Sequence, residues 1–401
     1  MDTAISQVFN SGSSDVSNAG LPLFFGNRIT KNGQAINQHS ALKISAYWCA
    51  VNSIAESYAL LPKSVYKQTE SKGKTKRERI KNHAVDYLIH ECPNSKMTSS
   101  VFDNIMIVSY FNRGNAFAKI VRNNLGIVIA KEFMHPDKTT VIEHDNKLFY
   151  KYGDVTYDAV DVIHVPAFTF CGKVGISILD FAADNLGITY GAQQFHSNTF
   201  TNKGLSLGVL ESDLAIKATA KQAMQSGFSA AMQSKDPYRV AMLDEGMKYK
   251  QITLTADQVK LLETQNFAVS DIARWFRIPL HKLHVKGEGG YNFIVKMSIE
   301  YLQSAIMPIA DKFKKEYDRK LFTASERSQG LFVSFNYEKL LQADPESRAK
   351  YYSDLMNIKS ITPNEVRIRE GFNPFEVGGD EPLQMVNMQT DSQIEKTKAN
   401  E

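Results

Sequence analysis

Cysteine is scarce in this chain of 401 residues: Cys49, Cys92 and Cys171 are the only three. They lie far apart, are odd in number and form no Cys-x-x-Cys pair. That spacing excludes a disulfide framework and a zinc finger, and predicts reduced thiols in a cytosolic protein. Long apolar runs are missing as well, so no segment is expected to cross a bilayer and no membrane partner is expected. Met1 to Asn18 is rich in Ser, Asn and Asp, without a basic region leading into an apolar core, and does not read as a signal peptide. A surplus of one charge is lacking too. Lys and Arg number 47 against 43 Asp and Glu, a net charge of +4. A protein that grips DNA through many phosphates carries a clear basic excess. Tight, sequence-independent binding by one chain is therefore not expected, whereas a conduit through which DNA slides does not need it.

Catalytic signatures are absent from the sequence. There is no GxxxxGK[ST], no HExxH and no GxSxG. Gly287, Gly289 and Gly290 surround Glu288, but no Lys-Ser/Thr follows, so this is a flexible loop rather than a phosphate cradle. The nine histidines are scattered. His135 and His164 stand at the ends of predicted strands, where a hydrogen-bonded structural role is expected. No cofactor, metal site or enzymatic activity is expected. No alternation of basic and aromatic residues suggests a platform for single strands.

What is present reads as an α+β chain of ordinary globular composition, 43% hydrophobic and 22% charged. Residues 1–40 read as a flexible arm. A helix is predicted over 43–61, with Ile44, Trp48, Val51, Ile54, Ala55 and Leu61 on its apolar face. Between Lys67 and Lys81 lie seven basic and two acidic residues, read as a solvated hairpin tip. Short helices are predicted from His83 and from Ser99, the latter capped by Thr98. Strands are predicted over 116–122, 127–134, 139–143, 147–152 and 161–165. A long helix, 176–203, carries Gly187 and Gly191, which suggest close approach of another helix. A βαββ insert follows over 205–255, then a helix to 277. A mobile Gly-rich loop is predicted over 281–292. The helix 293–322 has a stripe through Val295, Ile299, Leu302, Ile306, Ile309, Phe313 and Tyr317, kinked at Pro308. A strand over 331–337 comes next. Asp344-Pro345 and Thr362-Pro-Asn-Glu365 cap the last two helices.

Helix, insert, helix is the order of a projecting stalk, and such a stalk suits a ring with one stave per subunit. At this point the sequence resembles the portal proteins of long-tailed double-stranded DNA phages. The resemblance rests on Ala46 to Ala55 with Leu61-Pro62; His83, Leu88, Pro93-Asn94 and Thr98; Gly114-Asn-Ala-Phe117; His135-Pro136; Val162-Ile-His164; and Gly175-Ile-Ser177. It continues through Ile272-Ala273, Phe276, Ile278-Pro279, Thr362 to Arg367 and Gly378-Gly-Asp380. Each is short, but they run in order over about 41–382. Two departures stand out: Ile178 follows Ser177 where the family often has proline, and Ala84 follows His83 where proline is usual.

The resemblance implies a wing from 41–175, completed by a spine helix and strand in 293–338. Stem helices lie in 176–204 and 256–280, and a clip in 205–255. A tunnel loop follows in 281–292, a short crown in 339–388 and a disordered tail in 389–401. It implies a dodecameric ring at one capsid vertex of the virion, assembled in the host cytoplasm, for packaging, retention and ejection of DNA. The implied partners are double-stranded DNA without sequence specificity, the terminase large subunit, a neck adaptor, and major capsid and scaffold proteins. Lys282, His284, Lys286, Gly287, Glu288, Gly289 and Gly290 would face the DNA channel. Ser234, Lys235, Asp236, Asp244 and Glu245 mark the clip's partner surface as a region only, because 205–255 carries six basic against five acidic residues. A head–tail adaptor or minor capsid protein without a DNA-gripping loop is the alternative, and a capsid-associated nuclease a more distant one.

Overall fold

The computed structural model describes residues 14–15, 28–30, 35–71, 74–201, 208–212, 247–251, 261–284, 291–337 and 345–382. Three short strands, β1 (Ser14–Asp15), β2 (Arg28–Ile29) and β3 (Ala35–Ile36), come first. Helices α1 (Gln38–Leu42) and α2 (Ser45–Ala59) follow, then the hairpin β4 (Lys63–Ser71) and β5 (Lys74–Arg79). Next are α3 (Ala84–His90) and α4 (Ser99–Arg113). Six strands succeed them: β6 (Asn115–Arg122), β7 (Val128–Met134), β8 (Thr139–His144), β9 (Lys147–Tyr152), β10 (Val155–Asp158) and β11 (Val162–Pro166). The long α5 (Ile178–Thr201) leads to β12 (Gly208–Ser212), β13 (Met247–Gln251) and α6 (Leu261–Phe276). After α7 (Tyr291–Tyr301) a π turn at Leu302–Ile306 joins α8 (Met307–Lys320). Then come α9 (Ala324–Ser328), β14 (Leu331–Phe335), α10 (Pro345–Asn357) and α11 (Pro363–Arg369).

The main sheets are antiparallel, in the orders β14-β4-β5, β11-β6-β7 and β1-β8-β9-β10. One pairing organises the fold. β14, from the far side of the spine helix, pairs with β4 in the register Leu331 with Lys67 through Phe335 with Lys63. The core is built where α2, α4 and α8 meet beneath these sheets. Tyr47, Val51, Ile54 and Tyr58 recur at helical spacing on α2 and are buried against Phe102, Met106, Phe313 and Tyr317. The Tyr58 and Phe313 rings are 5.1 Å apart.

The structure corrects several expectations. Trp48 is 53% exposed, and Tyr47 takes the core position. The stripe runs 47, 51, 54, 58, and one residue is a rotation of about 100° on a helix. Residues 1–40 were expected to be a flexible arm, yet β1 pairs with β8 at Glu143 and Ile142, and β2 pairs with β3. Asn37 and Ser40 form a reciprocal capping box that starts α1, which packs Ala41 into the core. The close neighbour of Gly187 is not a helix. A Cβ there would come within 2.7 Å of Thr30 Cγ2, so a segment just after β2 lies against α5.

In the spine, Ile299 is exposed, while Tyr301 and Leu302 are buried. The π turn inserts extra backbone and rotates the upstream face away from the predicted stripe. The same wide turn accommodates Pro308, whose missing N–H would break an α-helical ladder. Strand β10 and the capped helix α9, with its box between Thr323 and Glu326, were not anticipated. The ladder of β12 with β13 pairs Gly208 with Gln251 through Ser212 with Met247. Residues 213–246, where the helix and middle strand of the expected βαββ insert would fall, lie outside the described residues, as do Asp344 and the tail 389–401.

Candidate functional site

The predicted channel loop divides in two. Pro279 ends the α6 segment, and Leu280–Leu283 forms a single 3-10 turn closed by His284 in a left-handed conformation, φ 58°. Leu283 is buried. The Cys49 thiol donates to the Lys282 carbonyl at 3.7 Å, and the Lys282 ammonium sits 5.7 Å over the Tyr301 ring. Tyr301 in turn donates to the Ser53 carbonyl and the Ser57 hydroxyl. The start of the segment is therefore held to α2 and α7, and its last two residues, 291 and 292, begin α7. A mobile loop spanning all of 281–292 is corrected at both ends, because apolar Leu283 and the Tyr301 ring supply burial that a glycine count does not register. His284 is exposed. Lys286, Gly287, Glu288, Gly289 and Gly290 lie outside the described residues. So do Ser234, Lys235, Asp236, Asp244 and Glu245; β12 and β13 frame the segment that contains them.

Two recurrent motifs meet at a second place. Gly114 caps α4 with φ 71°, the left-handed backbone that glycine adopts freely. Its carbonyl accepts from Ala167 N at 2.8 Å. Gly175 packs directly on that carbonyl, and a Cβ at 175 would also come within 2.7 Å of Ala167 N. Asn115 ties the two strands of chain together. Its Oδ1 accepts from Gly175 N at 2.7 Å, and its Nδ2 donates to the Gly175 carbonyl at 2.9 Å. Ser177 then closes the joint by donating to the carbonyls of Phe111 and Asn112 at the end of α4, while accepting from Leu179 N. Thus the end of α4, the start of β6 and the start of α5 share one interlock.

His164 is the buried companion of this joint, as the strand-end reading expects of a structural histidine. The Asn115 amide donates to two carbonyls, including Arg113 O, so its oxygen is the acceptor that faces His164 Nε2 at 3.0 Å. Nε2 therefore carries the proton, and Nδ1 accepts from the Tyr150 hydroxyl at 3.1 Å. Phe117 stacks on the ring with centroids 4.4 Å apart. Burial, with Lys320 nearby, lowers its pKa to about 3. The sign follows from linkage. The folded imidazole resists a proton that the unfolded one accepts near 6.5, so its contribution is full above that pH and is lost progressively as pH falls toward 3. At pH 4.5 the expected loss is about 2–3 kcal/mol. Denaturant midpoints measured from pH 7 to pH 4 check this; the slope should flatten in His164→Gln. His135, by contrast, is exposed, and its Nδ1 accepts from Asp137 N at 3.3 Å.

A charged cluster lies deeper, at positions that sequence patterning does not mark. Lys63 on β4 forms an ion pair with Asp103 on α4, both almost fully buried. Lys131 on β7, 1% exposed, points its ammonium 4.8 Å from the Phe102 ring and 4.9 Å from the Tyr317 ring. Desolvation lowers its pKa to about 8, against the opposing pull of Asp103. No group of three or more His, Cys, Asp or Glu side chains suited to a metal occurs among the described residues. No helix among them is long and apolar enough to cross a membrane.

Comparison with known proteins shows what this arrangement resembles. The phage portal protein family model matches residues 45–371. A probable portal protein of Streptomyces phage phiC31 is 25% identical over 371 residues, covering 87% of this chain and 79% of the relative. The crystal structure of an HK97 family phage portal protein from Corynebacterium diphtheriae superposes with a TM-score of 0.58 at 15% identity, covering 80% of this chain and all of the other. A chain in the neck of a native gene transfer agent particle, computed with C12 symmetry, gives a TM-score of 0.54 at 15% identity, over 84% of this chain and 94% of that one.

Proposed function

This chain belongs to the phage portal protein family, and we propose that it forms one stave of a dodecameric ring that passes double-stranded DNA at a single capsid vertex. The observation that carries this reading is the family match across residues 45–371, which spans both the interlocked lobe and the spine. The C12 symmetry of the related particle's neck supports twelve copies. The family is structural, and the reading assigns no catalysis to this chain.

In this reading the lobe containing β4–β11, closed by β14, is the wing. Helices α5 and α6 are the stem, and the segment framed by β12 and β13 is the clip. The clip would meet the terminase large subunit during packaging and the neck adaptor afterwards, with major capsid and scaffold proteins around the ring in the virion. The 281–292 segment would line the channel. Its anchored start fits that role, because a loop that touches sliding DNA needs a fixed base. Lys286 would make transient phosphate contacts with no sequence preference.

Negative-stain electron microscopy of the purified chain, with its solution mass, tests the ring. Twelvefold rings with a central hole are expected, and a monomer that stays open even when co-expressed with its scaffold would overturn the reading. For the loop, Lys286→Glu is expected to leave ring assembly intact and to lower retention of packaged DNA several-fold. Unchanged genome length and retention would remove Lys286 from that role.

A further inference from the structure

Two open grooves lie side by side on the face where α5, α6 and the spine converge. One, of about 580 Å³, runs between Phe168, Phe181, Trp275 and Pro308. The other, of about 650 Å³, runs between Leu280, Phe293 and Met297. Arg277 and Ser304 line both, so the two grooves form one trench. Its walls are large and apolar yet face water. Phe168 is 56% exposed, Phe293 47%, Phe181 46% and Trp275 40%. Phe168 meets Phe181 edge-on at 6.0 Å, and Phe170, beside the trench, meets Phe168 at 5.0 Å. Singly exposed apolar residues are ordinary on a protein surface. Exposed aromatic side chains gathered along one trench, from three helices and the segment before α5, are the mark of a surface that another molecule covers.

We infer that this trench is one side of the lateral contact between neighbouring copies of this chain. The inference rests on the ring reading and names the surface that reading leaves open. Three arguments select a second copy. First, in a twelvefold ring every subunit has two neighbours of its own kind, and such closed, head-to-tail contacts join two different surfaces of the same chain. Second, the exposed portions of the five trench residues Phe168, Phe181, Trp275, Leu280 and Phe293 amount to roughly 450 Å² at aromatic side-chain sizes. That is more than half of the roughly 800 Å² that each partner contributes to a stable interface. Third, the trench is built from α5 and α6 together with the α7–α8 spine, the elements that would run side by side around a channel. Arg277, with φ 55°, stands on the ridge between the two grooves. It offers a fork of donors at the centre of an otherwise apolar contact, the usual composition of an interface hot spot.

The two tryptophans, Trp48 and Trp275, make a direct test available. In a Trp48→Phe background of the full chain, Trp275 reports on the trench alone. Assembly should shift its emission to shorter wavelength and reduce its acrylamide quenching at least threefold relative to the dissociated chain. Phe168→Glu with Phe181→Glu should raise the concentration for half-assembly at least tenfold, while the melting temperature of the dissociated chain stays within a few degrees of the parent. Rings that form normally with both glutamates present, or that leave Trp275 as quenchable as before, would refute the assignment while keeping the ring. Protection of Trp275 already in the dissociated chain would place another part of the same chain over the trench, and would also refute it. A parent chain that never closes a ring, with or without scaffold, fails the ring reading itself and takes this inference with it.

Discussion

Gly175→Ala is expected to cost more than about 4 kcal/mol and to yield little folded protein. The added Cβ would lie on the Gly114 carbonyl and 2.7 Å from Ala167 N. Both neighbours are backbone, and neither can turn aside as a side chain would. Overpacking of this kind costs about 1–3 kcal/mol even where neighbours relax. Here relaxation would also stretch the two hydrogen bonds between Asn115 and Gly175, each contributing about 1 kcal/mol. Gly172 provides the control. It lies in the same loop with φ 74° and nothing within 4 Å of its would-be Cβ, so Gly172→Ala should cost only about 1 kcal/mol of backbone strain. Urea midpoints of the two variants decide the matter. Equal losses would mean that the interlock is looser than the geometry implies.

Asp103→Ala is expected to destabilise the chain by about 3–5 kcal/mol, because it removes the carboxylate that pairs with the buried Lys63 ammonium and leaves Lys131 beside it. Most of that loss reflects two uncompensated charges in a dry core rather than the attraction between the original pair. The distinction is measurable. Lys131 already has its pKa lowered to about 8, and Asp103 is the group that raises it. Without Asp103 it falls further, so the variant sheds the Lys131 proton at a lower pH than the parent does. The deficit against the parent should therefore be larger at pH 6 than at pH 9. In the parent, a lysine that deprotonates more readily in the fold than at 10.5 makes stability rise as pH increases from about 8 to 10.5. A deficit independent of pH would mean that the packing around residue 103, rather than its charge, carries the effect.

The sequence revealed much of this fold and little of its interlock. Helix periodicity placed α2, α4 and the spine because their apolar faces are long and regular. It misplaced Trp48 by one residue, since size and hydrophobicity alone favour tryptophan over the neighbouring tyrosine for a core position. It misplaced Ile299 because the π turn shifts the register without altering composition. The box that starts α9, Thr323 to Glu326, was readable by the same rule as Thr362 to Glu365, but lay in the short stretch left without an element between the spine helix and the strand over 331–337. The motif glycines were visible as residues, yet nothing in the order of letters shows that Gly114 and Gly175 touch. Nor does patterning show the Lys63–Asp103 pair, because lysine in a strand reads as a solvated face. The channel loop is the intermediate case: its glycines are legible, while the anchoring of Lys282 against Tyr301 depends on a partner 19 positions away.

The pairing of β14 with β4 also sets a schedule for synthesis. β4 is finished at Ser71, but its partner is complete only at Phe335. At about 5–20 residues per second, the first strand leaves the ribosome roughly 13–50 s before its mate exists. Throughout that interval one side of β4 is an open row of amides and carbonyls, a template for any extended chain nearby. The lysines and arginines on the β4–β5 hairpin bear on that interval, because charged side chains beside an open strand edge disfavour pairing with another copy.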